Sequence, residues 1–157
     1  MAKKKKYNRF KQGKYTPEDS SKYKGTYPII FRSSWEYQLM RFLDTSPNII
    51  EWGSESFVVK YRDVTRNNSI HRYYTDFTCI SLDKDKNKQK YVIEVKPFAE
   101  TKAPTNGPRK KESTYRSQCI TYARNQCKWK AAKEAAGKRG WKFIILTENE
   151  LFGKNKK

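Results

Sequence analysis

Residues 91–98 read YVIEVKPF. The stretch is apolar, yet Glu94 and Lys96 stand two positions apart within it. A β-strand alternates its side chains between two faces, so Ile93 and Val95 point one way and Glu94 and Lys96 the other. A carboxylate beside an ammonium on one strand surface fits an ordinary ion pair. It equally fits half of a metal-dependent hydrolytic site.

The preceding apolar stretch, RYYTDFTCI at residues 72–80, bears on that choice. With Phe77 and Cys79 facing a core, Asp76 and Tyr74 face the other way. Two adjacent antiparallel strands then bring Asp76 near Glu94. Two carboxylates within reach of one hard cation suit Mg2+, with Mn2+ a second candidate. Lys96 beside them is a donor to a phosphate oxygen or to an attacking water. Phosphodiester hydrolysis needs a neutralised phosphoryl group, a nucleophile made from water and a stabilised leaving oxygen, all of which divalent ions supply. Glu36 is the third acid of interest, in the run Ser33-Ser34-Trp35-Glu36. A glutamate three residues after a serine is also a capping box. Spacing alone leaves both readings of Glu36 open, as it leaves Asp76 open to being a solvated strand-end acid.

The rest of the chain supplies the frame. Trp35, Leu39, Met40, Phe42 and Leu43 recur at helical spacing after Ser33, and Pro47 and Asn48 stop that helix. Short strands are expected at 49–52, 57–61 and 72–80, the last two joined as a hairpin through RNNS, and at 90–96 after the polar turn DKDKNK. Residues 97–112 form a proline-containing basic loop. A helix from about 113 to 138 follows, with Tyr115, Cys119, Tyr122, Ala123, Trp129, Ala132 and Ala136 as its apolar stripe. WKFIILT at 141–147 is apolar enough to lie inside a sheet, and ENELF is a terminal helical turn. The order is helix, three or four strands, helix, strand, an α/β class.

Charge narrows the partner. The 157-residue chain carries +19, and ten of those charges lie in residues 1–14 and 154–157, which hold no acid. Residues 15–153 therefore keep +9, so the domain itself favours a polyanion, with nucleic acid first and an anionic membrane surface the weaker choice. The expected division is a basic tail at 1–14, one domain at 15–153 and a second basic tail at 154–157. Residues 15–32 are expected to run as an extended arm over the domain, anchored by the run from Pro28 to Phe31. No membrane role is expected, because no run reaches the ~20 apolar residues that span a bilayer. Three cysteines without a Cys-x-x-Cys pair, and one histidine, His71, argue against structural zinc. His71 reads as a strand-surface residue. Lys3, Lys4, Lys5 and Lys6 are expected to contact phosphates without reading sequence.

Glu36, Asp76 and Glu94-Val95-Lys96 in this order resemble the PD-(D/E)xK nuclease superfamily. Over residues 14–152 the phrases FRSSWE, NIIEWGSE, HRYYTDF, YVIEVKP and NQCKWKAAKEAAGKRGWKFIILTENEL resemble the head completion nucleases of T4-like tailed phages. They are more distantly similar to TnsA endonucleases, where a glutamine stands at the position of Glu94. The resemblance implies a restriction-endonuclease-like αβββαβ core, a central mixed sheet flanked by helices, with an extended basic N-terminal arm. It implies Mg2+ held by Glu36, Asp76 and Glu94, with Lys96 assisting the nucleophile. It narrows the polyanion to double-stranded DNA. It places Glu55 in a matching stretch as a candidate outer acid, and Asn125 and Lys128 near the DNA backbone. By charge, Arg109, Lys110 and Lys111 of the basic loop and Arg124 of the long helix are further candidate DNA contacts. Trimming of packaged DNA, portal or neck proteins as partners, and residence in the virion head or neck, after host cytoplasm during assembly, follow from the same likeness. The rival expectation is a non-catalytic head or portal plug that binds the DNA end. Oligomeric state is not legible.

Overall fold

The computed structural model of the chain describes residues 12–153. Lys3 to Lys6 and the C-terminal tail lie outside the described residues. Strand β1 (Gly13–Tyr15) pairs antiparallel with β2 (Ile29–Phe31), so the expected tail boundary at residue 14 falls within a strand. The arm between them is held by the buried Asp44 carboxylate, which accepts hydrogen bonds from Tyr15 Oη at 2.7 Å, Glu18 N at 2.7 Å and Asp19 N at 3.2 Å. Tyr15, Tyr23 and Ile29 are buried in the core. The arm is thus anchored along its length, not by the Pro28–Phe31 run alone.

Helix α1 (Ser34–Thr45) begins at Ser33, whose extended backbone and Oγ accept the role of N-cap, Oγ taking the Glu36 N–H at 3.1 Å. Lys22 Nζ donates to the Asp44 and Ser46 carbonyls at 3.0 and 2.8 Å, a cation on the negative end of the helix. Leu39, Met40 and Leu43 form the buried stripe, while Phe42, expected with them, is exposed.

The central sheet has the order β3-β6-β7-β8, from β3 (Ile49–Ser54), β6 (Phe77–Leu82), β7 (Lys88–Val95) and β8 (Lys142–Leu146). β6 is antiparallel to both β3 and β7, and β8 is parallel to β7. Alternation divides the core. Trp52, Phe77, Cys79 and Ile93 pack with α1 on one face. Val92 packs on the other with Trp129, Ala132 and Ala136 of helix α2 (Glu112–Gly137).

Three sequence expectations are corrected here. The 72–80 stretch is two strands, not one. β4 (Val58–Asp63) and β5 (Ser69–Tyr74) make a separate hairpin, and the chain changes sheets at Thr75. Thr75 is buried and donates both N–H and Oγ1–H to the Phe57 carbonyl, at 3.1 and 3.0 Å, which fixes the corner. β8 is an edge strand, not an interior one. It is apolar because Ile144 and Leu146 pack toward one core and Phe143 and Ile145 toward the other. Finally, the buried residues of α2 all lie in its second half, from Asn125 on, leaving Tyr115, Cys119 and Tyr122 only half-buried. A cleft of about 610 Å³ separates α2 from the loop after β7, with Lys102, Pro104, Lys110, Gln118, Tyr122 and Asn125 among its lining. A 3-10 turn at Phe98–Thr101 starts that loop, and helix α3 (Glu148–Phe152) closes the fold. Among the described residues, no helix is long and apolar enough to cross a membrane.

Candidate active site

The strand register decides the geometry. Phe77 pairs with Ile93, so Asp76, one residue earlier, stands opposite Glu94, one residue later, on the same face. Directly opposed side chains have Cβ atoms about 4.5–5.5 Å apart. Both residues sit where β6 begins and β7 ends, at the corner made by Thr75. Asp76 is held through both its main chain and its side chain. Its carbonyl accepts from Glu55 N at 3.0 Å, and its Oδ2 accepts from Val95 N at 2.8 Å. Its Oδ1 has no hydrogen-bond donor among the described residues.

Glu94 is buried, with Oε2 taking the Tyr73 hydroxyl hydrogen at 2.5 Å and Oε1 lying 3.4 Å from Lys96 Nζ. The ion-pair reading of Glu94 and Lys96 is therefore realised. It does not displace the site reading, because the pair faces Asp76. Burial, then the Glu94 charge and the Glu36 charge, hold the Asp76 carboxyl well above the usual carboxylate range, against the Val95 N–H and Lys96. The other three expected residues, Glu94, Glu36 and Lys96, thus all act on the Asp76 carboxyl group.

Glu36 serves the helix as well. Its N–H is capped by Ser33, but its carboxylate reaches back to the N–H of Arg32, at 2.8 Å, one residue earlier than the capping-box pattern requires. Burial raises its pKa, with Arg32 opposing. Glu55, the expected outer acid, adopts a left-handed backbone (φ 51°) and pairs with Arg32 at the surface.

The α2 residues divide. Lys128 lies 5.6 Å from the Tyr73 ring centre and 5.9 Å from that of Tyr61, and burial, then Lys96, lowers its pKa. Arg124 is committed to the fully buried Asp63, Nε to Oδ2 at 2.9 Å, and ties the hairpin to α2. Asn125 is buried at the cleft with no side-chain partner among the described residues. Arg109 and Lys111 are exposed before α2, and Lys110 Nζ bridges the Thr105 carbonyl at 2.6 Å and Gln118 Oε1 at 2.8 Å. His71 is half-buried, its Nε2 within 2.8 Å of Ser69 Oγ and its ring beside Tyr61. Tyr73 is the residue that sequence reasoning missed. Its signal was the alternation Tyr73-Tyr74, whose inward member must find a polar partner for its hydroxyl once buried.

The donor set suits a hard divalent cation, since crowded carboxylates are costly without one and oxygen is its preferred ligand. Among the described residues, no three acidic, histidine or cysteine side chains form a ready metal-holding group. Glu94 is turned toward Tyr73 and Lys96.

Residues 46–148 match the family model described as TnsA-like endonuclease N terminal. The chain belongs to this family. It is also 38% identical over 146 residues to the head completion nuclease of Enterobacteria phage T4, covering 88% of this chain and 92% of that protein. No solved structure gives a significant match. The fold agrees with the family: α1, β3, β6, β7, α2 and β8 follow the αβββαβ order of a restriction-endonuclease-like core, with the β4–β5 hairpin inserted after the first strand.

Proposed function

We propose that this chain is a metal-dependent deoxyribonuclease that acts in phage head completion and trims packaged double-stranded DNA. The observation that carries this reading is the opposition of Asp76 and Glu94 on one sheet face with Lys96 Nζ 3.4 Å from Glu94. The name of the T4 relative supports the biological setting. Asp76, Glu94 and Glu36 would hold Mg2+ or Mn2+. A bound divalent ion neutralises the phosphoryl group and acidifies water at such a site. Lys96 would donate to a phosphate oxygen or hold the attacking water, a reading supported by its Nζ lying 3.4 Å from Glu94 Oε1. Tyr73 fixes the Glu94 carboxylate, and Lys128 adds positive charge beside Lys96. Portal or neck proteins are the proposed partners, in the virion head or neck and in host cytoplasm during assembly.

The test is cleavage of plasmid DNA with Mg2+ by wild type, Asp76→Ala and Lys96→Ala. Both variants should lose cleavage and retain binding; equal cutting by all three would remove the catalytic assignment. One observation favours the rival plug: Glu94 is already satisfied by Tyr73 and Lys96 without a cation. A Glu94→Ala phage that still assembles infectious particles would support that rival.

A further inference from the structure

The β4–β5 hairpin carries a second feature, on the face turned away from Glu94. Its inward residues Val59, Tyr61 and Tyr73 pack against α2. Its outward residues pair across the strands as Val58 with Tyr74, Lys60 with Arg72 and Arg62 with Ile70. All six are exposed. Lys60 and Arg72 are thus directly opposed like charges, an arrangement that disfavours the hairpin by itself. From Val58 to Tyr74 the only acid is Asp63, which is fully buried and paired with Arg124 and Arg66. The outer face therefore presents uncompensated positive charge beside exposed apolar and aromatic groups. Two residues after Tyr74, the same chain reaches Asp76.

We propose that this hairpin face is a docking surface for the phosphate backbone of duplex DNA, holding the substrate on the outer side of the strand that leads into Asp76. The identity of the partner rests on the nuclease reading; the surface itself rests on charge complementarity. Lys60, Arg62 and Arg72 contact phosphates, and Tyr74 and Ile70 lie against the sugar edge. A polyanion relieves the Lys60–Arg72 repulsion, which is why the face tolerates it.

The test is equilibrium binding of full-length protein to a fluorescent duplex in EDTA, where no cutting contributes, over a range of salt concentrations. Lys60→Glu converts a repulsive pair into an attractive one. It should melt at or above the wild-type temperature while binding the duplex about tenfold more weakly, with a salt slope shallower by ~1. The double variant Lys60→Ala/Arg72→Ala should lose ~1.8 from the slope, at ~0.9 per phosphate contact. Lys84→Glu, with the same change in net charge at the β6–β7 turn on the far end of the sheet, should bind within about twofold of wild type. Wild-type affinity and slope in Lys60→Glu, or equal weakening by Lys84→Glu, would overturn the proposal. Neither result bears on cleavage, so the catalytic reading stands or falls separately through Asp76→Ala.

Discussion

Tyr73, on the hairpin, donates its hydroxyl hydrogen to Glu94, on the central sheet, at 2.5 Å. The bond crosses between two separate sheets and is buried. Burial and the Glu94 charge push the phenol pKa up, so Tyr73 remains a donor. Tyr73→Phe removes that donor and leaves Glu94 free to turn. The expected loss is about 1–2 kcal/mol of stability and about tenfold in cleavage. Thermal melting and plasmid assays check both; full activity in Tyr73→Phe would show that Glu94 needs no such support.

Asp76 sets a pH dependence. In an unfolded chain an aspartate releases its proton near pH 3.9. In the folded, metal-free protein it holds the proton longer, because of burial and the Glu94 charge. The folded state therefore binds more protons in that window, and stability falls as pH rises from about 4 toward the folded pKa. Asp76→Asn removes this titration while its amide oxygen can still accept from Val95 N. Without metal, the variant should melt above wild type at pH 7, by roughly 2–4 °C for each kcal/mol released. The gap should close near pH 4. A gap that is absent, or that widens toward acid, contradicts the assignment.

One substitution separates the helix-start role of Glu36 from the metal-holding role proposed for it. Glu36→Gln keeps an acceptor for the Arg32 N–H and keeps the Ser33 cap on the residue 36 N–H. Stability should change by no more than about 1 kcal/mol, the scale of a cap. Cleavage should fall about 100-fold, a barrier increase of about 2.7 kcal/mol. Unchanged cleavage would leave Glu36 with the helix alone.

Asp44 anchors the arm. Asp44→Ala strands three donors, Tyr15 Oη, Glu18 N and Asp19 N. The expected cost is about 3 kcal/mol, since each unsatisfied buried group costs ~1–3 and exposed backbone recovers part through water. Limited proteolysis should then open residues 16–24 before the sheet. Resistance equal to wild type would show that the aromatic packing of Tyr23 on Trp52, at 4.7 Å between ring centres, holds the arm unaided.

Much of this was legible in the residues, and the failures share a cause. The alternation of Ile93, Glu94, Val95 and Lys96 fixed which side chains share a face, because strand period depends on local geometry alone. The Ser33 cap was equally local. The break at Thr75 was not, because an apolar run reads the same whether it serves one sheet or two. β8 looked interior because coverage of both faces, not position in the sheet, determines its composition. Tyr115 and Cys119 kept helical spacing in the half of α2 that buries no residue. The partnership of Tyr73 with Glu94 depends on how the hairpin folds over the sheet, 21 residues apart in sequence.

The central claim is that Asp76 and Glu94 together hold a divalent cation. Calorimetric titration of Mg2+ and Mn2+ into wild type and Asp76→Asn tests it without DNA. Wild type should bind, and the variant should lose the binding while melting as a folded protein. Identical isotherms for the two proteins would contradict the account.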